Sequence, residues 1–214
     1  MRRAFLVLAL LGAAAAADEA PYAPGPCPAF VARIRSWLAA LPAAAPRERE
    51  VIVARLVRAG EAAWPLLAEA LGAPEYETQT GAVRALGRGR WPEAVPLLAK
   101  VAADRRRVLD VRILALAAIG ERGEAAGVEW LLSFARGPEP ELQDPAFRAL
   151  GKIREPEAVE ALLQIARASP GKLRGTAFEA LVELTGRFRS SESLESWERW
   201  WRIEKYQDFF EKRE

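Results

Sequence analysis

"AFRALGKIREPEAVEALLQIA", residues 146–166, decides the fold. Apolar residues three and four apart run up to Gly151. A short charged turn follows, and a second apolar stripe begins after Pro156. That pattern predicts two short amphipathic helices back to back, the first closed by glycine and the second opened by proline. The same arrangement stands upstream as "AVRALGRGRWPEAVPLLAKVA" (82–102) and "LALAAIGERGEAAGVEWLLSFA" (114–135). Gly87, Gly120 and Gly151 each precede Val95, Val128 and Val159 by eight residues, and the glycines are 33 and then 31 residues apart.

The repeat extends in both directions. "LRGTAFEALVELTG" (173–186) is a further first helix, with Phe178, Ala180 and Leu181 falling 31 residues after Phe147, Ala149 and Leu150. "AGEAAWPLLAEALG" (59–72) reads as a degenerate earlier unit with Trp64 at the Val95 position. Two more amphipathic helices precede it, 29–41 and 47–60. One helical hairpin cannot bury both its faces alone, so hairpins must stack into a continuous core. Small residues such as Ala85, Ala118 and Ala149 allow close helix approach. The glycine after each first helix is expected to supply a left-handed C-terminal turn.

These residues resemble the HEAT family, in the short form named after phycobilisome lyases. The matching residues are Asp110-Val111-Arg112, "ALG" at 85–87 and 149–151, "PEAV" at 92–95 and 156–159, and "LL" at 97–98, 131–132 and 162–163. The likeness covers roughly residues 50–186, at a period shorter than the ~40–47 residues of ordinary HEAT repeats. It implies an all-α, right-handed α-solenoid of about five stacked antiparallel hairpins. It says almost nothing about activity, because this scaffold serves many unrelated binders. A bilin-lyase-like enzyme is the remote alternative that the name brings with it.

The expected organisation is a signal peptide at 1–17, a Pro-rich leader at 18–28, a capping helix at 29–45, repeats over 46–186 and an aromatic capping helix at 187–214. The signal reading rests on Arg2 and Arg3, the apolar run from Ala4 to Leu11 and the small residues before Asp18. It predicts an exported chain, periplasmic or secreted. Residues 1–17 carry those two arginines and no acid, so the rest of the chain has as many basic residues as its 29 acids. The basic pI of the whole sequence is therefore no argument for a nucleic-acid partner.

Histidine is absent and Cys27 is the single cysteine. Histidine-based acid–base and nucleophilic mechanisms are excluded, as is a zinc site of His and Cys ligands. No cofactor and no metal site is expected, and the chain reads as a monomer that is not an enzyme. Cys27 is either an idle thiol in the leader or the donor of an intermolecular disulfide.

Three surfaces are candidates. The second helices should line a groove for a protein partner of unspecified identity. Its rows are Leu66, Leu97, Trp130 and Ala161, then Glu69, Lys100, Ser133 and Gln164, then Arg136 and Arg167. Trp130 is the leading ligand-facing aromatic, unless it folds back on a neighbouring repeat. The turns within units carry Arg88, Arg90, Arg122, Lys152, Arg154, Arg187 and Arg189. This edge is either a ridge for an anionic polymer or membrane surface, or a set of cations offsetting helix dipoles. The tail gathers Trp197, Trp200, Trp201, Phe209 and Phe210. The tryptophans suit a cap over the open end of the stack, and the last phenylalanines a contact with a partner or membrane. Arg112 and Arg174, with Gln79 and Gln143 between them, occupy equivalent positions and read as hydrogen bonding between repeats. "RRR" at 105–107 reads as a solvated turn.

Overall fold

A computed structural model describes residues 26–169, 171–186 and 193–204. The expected signal, most of the leader, Arg187, Arg189, Phe209 and Phe210 lie outside the described residues. Within them are eleven α-helices: α1 Pro28–Ala40, α2 Pro46–Arg58, α3 Trp64–Ala70, α4 Tyr76–Arg88, α5 Ala94–Ala103, α6 Leu109–Arg122, α7 Ala126–Ala135, α8 Pro140–Leu150, α9 Pro156–Ala168, α10 Lys172–Thr185 and α11 Leu194–Glu204. No strand occurs among the described residues. Pro28 is already the first residue of α1, so the leader ends sooner than its composition suggests.

The helices form two layers. In one, α2, α4, α6, α8 and α10 pack in succession; in the other, α5, α7, α9 and α11 do the same. The core runs between the layers through Leu67, Leu86, Leu98, Leu116, Leu131, Leu150 and Leu162, all fully buried. This is the α-solenoid that the repeat requires. Its units interlock more than the sequence hairpins suggest. α5 packs far more extensively on α6 than on α4, and α7 and α9 likewise nest on α8 and α10. Each second helix therefore bridges two repeats.

The repeat glycines correct the expectation placed on them. Gly87 lies inside α4 and Gly120 inside α6, while Gly151 has an ordinary right-handed backbone. Positive φ falls instead on Gly60, Gly123, Gly171 and Gly186. The repeat glycines serve helix packing. A Cβ at Gly87 would stand 2.9 Å from the Ala118 Cβ, and one at Gly120 would stand 2.6 Å from the Ala149 carbonyl oxygen. At Gly151 the neighbour is Ala180, with its carbonyl oxygen 3.1 Å away. The "Ala-Leu-Gly" signature is thus a ladder of small residues along which successive first helices touch.

A second ladder is polar. Arg49, Gln79, Arg112, Gln143 and Arg174 occupy one position on successive first helices. Each donates to a carbonyl at the end of the helix before it. Arg49 Nε reaches Ala44 O at 2.9 Å, Gln79 Nε2 reaches Ala73 O at 2.7 Å and Arg112 Nε reaches Ala102 O at 2.7 Å. Gln143 Nε2 reaches Gly137 O at 2.9 Å and Arg174 Nε reaches Ala166 O at 2.8 Å. These bonds satisfy carbonyls that a helix end leaves without an intrahelical donor.

Candidate functional site

The predicted groove lies along α3, α5, α7 and α9. Trp130 stands on the outer side of α7, 43% exposed, although its helix buries Val128, Leu131, Leu132 and Ala135. It does not fold back on a neighbouring repeat. Lys100, Ser133, Arg136 and Gln164 are exposed on the same layer, and Leu97 is half-buried against the core. Ser133 Oγ donates to Trp130 O at 2.6 Å and tethers the helix turn there. Leu66 must be removed from the groove: it is 5% exposed and belongs to the core, as does Ala161 in the same row. Arg167 is committed to an ion pair with Glu198 of α11.

Among the described residues the basic edge is interrupted at Arg88 and Arg122. Arg88 is held by Glu50, Nη1 to Oε2 at 2.6 Å, and Arg84 takes the other oxygen at 2.8 Å. These bonds, the one from Arg88 first, hold the Glu50 carboxyl below its ordinary range. Arg122 is not an edge residue at all. Its side chain is 3% exposed and turns back onto the preceding unit. Nη1 donates to Leu86 O at 2.8 Å and also to Gly89 O, and Nη2 donates to Trp91 O at 2.9 Å. The cation therefore caps the carboxyl end of α4 from a neighbouring helix, the dipole-offsetting role in a buried form. Arg90, Lys152 and Arg154 remain exposed and unpaired among the described residues.

"RRR" needs correction at its last residue. Arg107 Nη1 donates to Leu71 O and to Gln79 Oε1, a rung of the polar ladder. Arg105 Nε lies 3.3 Å from Glu139, which Arg112 grips with both terminal nitrogens at 2.9 and 3.0 Å. The Glu139 carboxyl is held below its usual range, chiefly by Arg112. Arg105, 68% exposed, and Arg106, paired with Asp104, are solvated turn residues as expected, and Arg107 is not.

At the far end Trp197, Trp200 and Trp201 are buried. Trp197 stacks on Phe178 of α10 with centroids 6.3 Å apart and planes 12° from parallel. Trp200 meets Trp197 edge-on at 5.7 Å. Ser193 Oγ accepts from Ser196 N at 3.2 Å and caps α11. At the other end Cys27 is the exposed residue just before α1, and its carbonyl takes the Phe30 and Val31 N–H groups.

The chain is thus an α-solenoid of short helical repeats tied by small-residue and polar ladders. Residues 109–182 match the family model for HEAT repeats. Among solved structures, the complex of CpcE and CpcF of phycocyanin lyase from Nostoc sp. PCC7120 aligns with a TM-score of 0.55. The match has 21% identity over 71% of this chain and 99% of that one, and it shows the shared fold. Two engineered proteins match at 22% identity with TM-scores of 0.39 and 0.41. They cover 72% and 75% of this chain, and 72% and 45% of their own. No curated protein matches the chain significantly.

Proposed function

We propose that this chain is an exported, non-catalytic scaffold that holds a protein partner against the outer face of α7. The observation that carries the reading is Trp130. A half-exposed indole lies on a helix whose other large aliphatics are all inside. Tryptophan is the residue type most enriched at binding hot spots. Lys100, Ser133, Arg136 and Gln164 supply a polar rim on the same layer.

The ion pairs support a structural use of charge. Among the described residues, the carboxyls held below their ordinary range, Glu50, Asp104 and Glu139, each face an arginine. Among the described residues no cluster of metal-ligating side chains occurs. The export reading rests on the composition of residues 1–17. Sequencing the N-terminus of the chain isolated from its native host checks it, with Asp18 the expected first residue.

The partner reading is tested with the full-length chain as bait, cross-linked in an envelope extract and washed at low and high salt. A single stoichiometric protein should persist at high salt, because an apolar contact is not screened. It should be lost with Trp130→Ala, which leaves the melting temperature near that of the parent. Equal capture by the variant, or no protein captured at any salt, refutes the reading.

A further inference from the structure

The first helices repeat one outward column, and α6 departs from it. Aligned on the repeat, the column reads Pro46, Glu50 and Ala54 on α2, then Tyr76, Thr80 and Arg84 on α4. It continues as Leu109, Ile113 and Ala117 on α6, then Pro140, Asp144 and Arg148 on α8. Three of these helices set a polar residue at the middle position, and α6 sets isoleucine. Its stripe is open to solvent. Leu109 is 39% exposed and Val108 just before it 60%, while Ile113, Leu114 and Ala117 are half-buried. Tyr76, 44% exposed, continues the patch onto α4. A contiguous apolar surface with a polar rim marks an interaction site.

The rim indicates what covers it. Acids stand in the first turns of these helices, at Glu77, Asp110 and Glu141, and bases in later turns of α4 and α8, at Arg84, Arg88 and Arg148. Arg84 and Arg88 are already held by Glu50, and Asp144 by Lys172 at 3.3 Å. Glu141 and Arg148 are exposed and form no ion pair among the described residues.

We infer that α6 is the centre of an interface between two copies of this chain, in place of the expected monomer, with a two-fold axis crossing the first helices at the level of Ile113. Such an axis sets each first helix antiparallel to its own copy. Ile113 meets Ile113, and Leu109 meets Ala117 on either side of it, so the apolar stripe covers itself. On α8, Arg148 comes over Pro140 and Glu141 of the second copy, twice per dimer, and both unpaired charges gain a partner. On α4, Arg84 comes over Tyr76 and Glu77. An axis parallel to the helices would instead lay α4 on α8, bringing Arg84 to Arg148 and Glu77 to Glu141, and like charges reject it. Three helices about 16–21 Å long and about 9 Å apart offer roughly 500 Å² per copy, against about 800 Å² in a standard interface, which fits a weak, micromolar dimer. Trp130 lies on the other layer, so the interface stands whether or not that surface binds a protein.

Sedimentation equilibrium of the full chain across the micromolar range should fit a monomer–dimer equilibrium. Ile113→Asp, which installs the residue that α8 carries at this position, sets two like charges face to face on the axis and should weaken the dimer about 100-fold. Leu109→Asp should do the same from the first turn of α6, where an acid suits the helix dipole. Its melting temperature, measured at a concentration where the parent is monomeric, should match the parent's, which separates loss of the dimer from loss of the fold. Arg148→Glu should weaken the dimer about tenfold. Adding Glu141→Arg should restore it, because within one chain the two residues lie about 10 Å apart along α8 and meet only across the interface. A chain that stays monomeric, a dimer indifferent to Leu109→Asp, or a double reversal that associates no better than Arg148→Glu alone overturns the inference.

Discussion

Replacing Gly120 with alanine adds one methyl group whose destination is known. An ideal Cβ there stands 2.6 Å from the Ala149 carbonyl oxygen, 2.7 Å from its Cα and 2.9 Å from its Cβ. Two of the three are backbone atoms and cannot rotate aside, so α6 and α8 must part. Overpacking of this kind costs about 1–3 kcal/mol. Alanine returns about 1 kcal/mol of helix propensity. With the contact this close, we place the cost at the upper end and the net loss at about 1–2 kcal/mol. For a chain of this size that lowers the melting temperature by roughly 2–8 °C. Gly175 is the internal control. It lies within α10, and an added Cβ meets nothing within 4 Å. Gly175→Ala should therefore raise stability by about 0.5–1 kcal/mol. Gly87→Ala falls between them, since its nearest neighbour is the Ala118 methyl at 2.9 Å. Thermal unfolding of the three variants, followed by circular dichroism at 222 nm, a standard helix signal at roughly that wavelength, decides the matter. Shifts of the same sign and size for Gly120→Ala and Gly175→Ala would show that the small-residue ladder does not set the helix spacing.

Arg122→Met should destabilise by about 2–4 kcal/mol, because three carbonyls of the preceding unit lose a charged donor; Arg90→Ala should change stability by less than about 0.5 kcal/mol, and urea titration compares the two. Trp197→Ala should cost about 3–5 kcal/mol, and hydrogen exchange should show α10 and α11 opening before α4 and α6. Glu139 has its carboxyl pKa lowered in the folded chain, so its contribution is complete above its ordinary value of about 4.3 and is lost as pH falls through the folded value. Melting curves of the parent should therefore drop on acidification more steeply than those of Arg112→Met, which lacks the main cause of the shift; parallel curves would refute that assignment.

The repeat made the fold legible because a stacked architecture forces the same problem on each unit. Gly87, Gly120 and Gly151 mark it, and so does the run of Arg49, Gln79, Arg112, Gln143 and Arg174. The role of the glycines was not legible. A glycine near a helix end and a glycine between two helices look alike until the neighbouring helix is placed. Arg122 was misread because it was counted by its distance from the first helix. Aligned on the repeat glycines, it shares its position with Ile153, which is fully buried, and that register was the available signal. Leu66 failed with Ala161, its row-mate on α9: both are buried in the core, so that row does not stay on the surface along the whole stack.

The polar ladder has a direction. Arg49, Gln79, Arg112, Gln143 and Arg174 all donate to carbonyls earlier in the chain, and Arg107 and Arg122 do the same across a whole repeat. In each case the acceptor has been synthesised before its donor. As the chain lengthens, every new first helix finds its anchoring carbonyl already made at the end of the helix before it, and in docking there it covers the second helix that was waiting for it. The solenoid can therefore grow by addition at one end, each repeat templated by its predecessor.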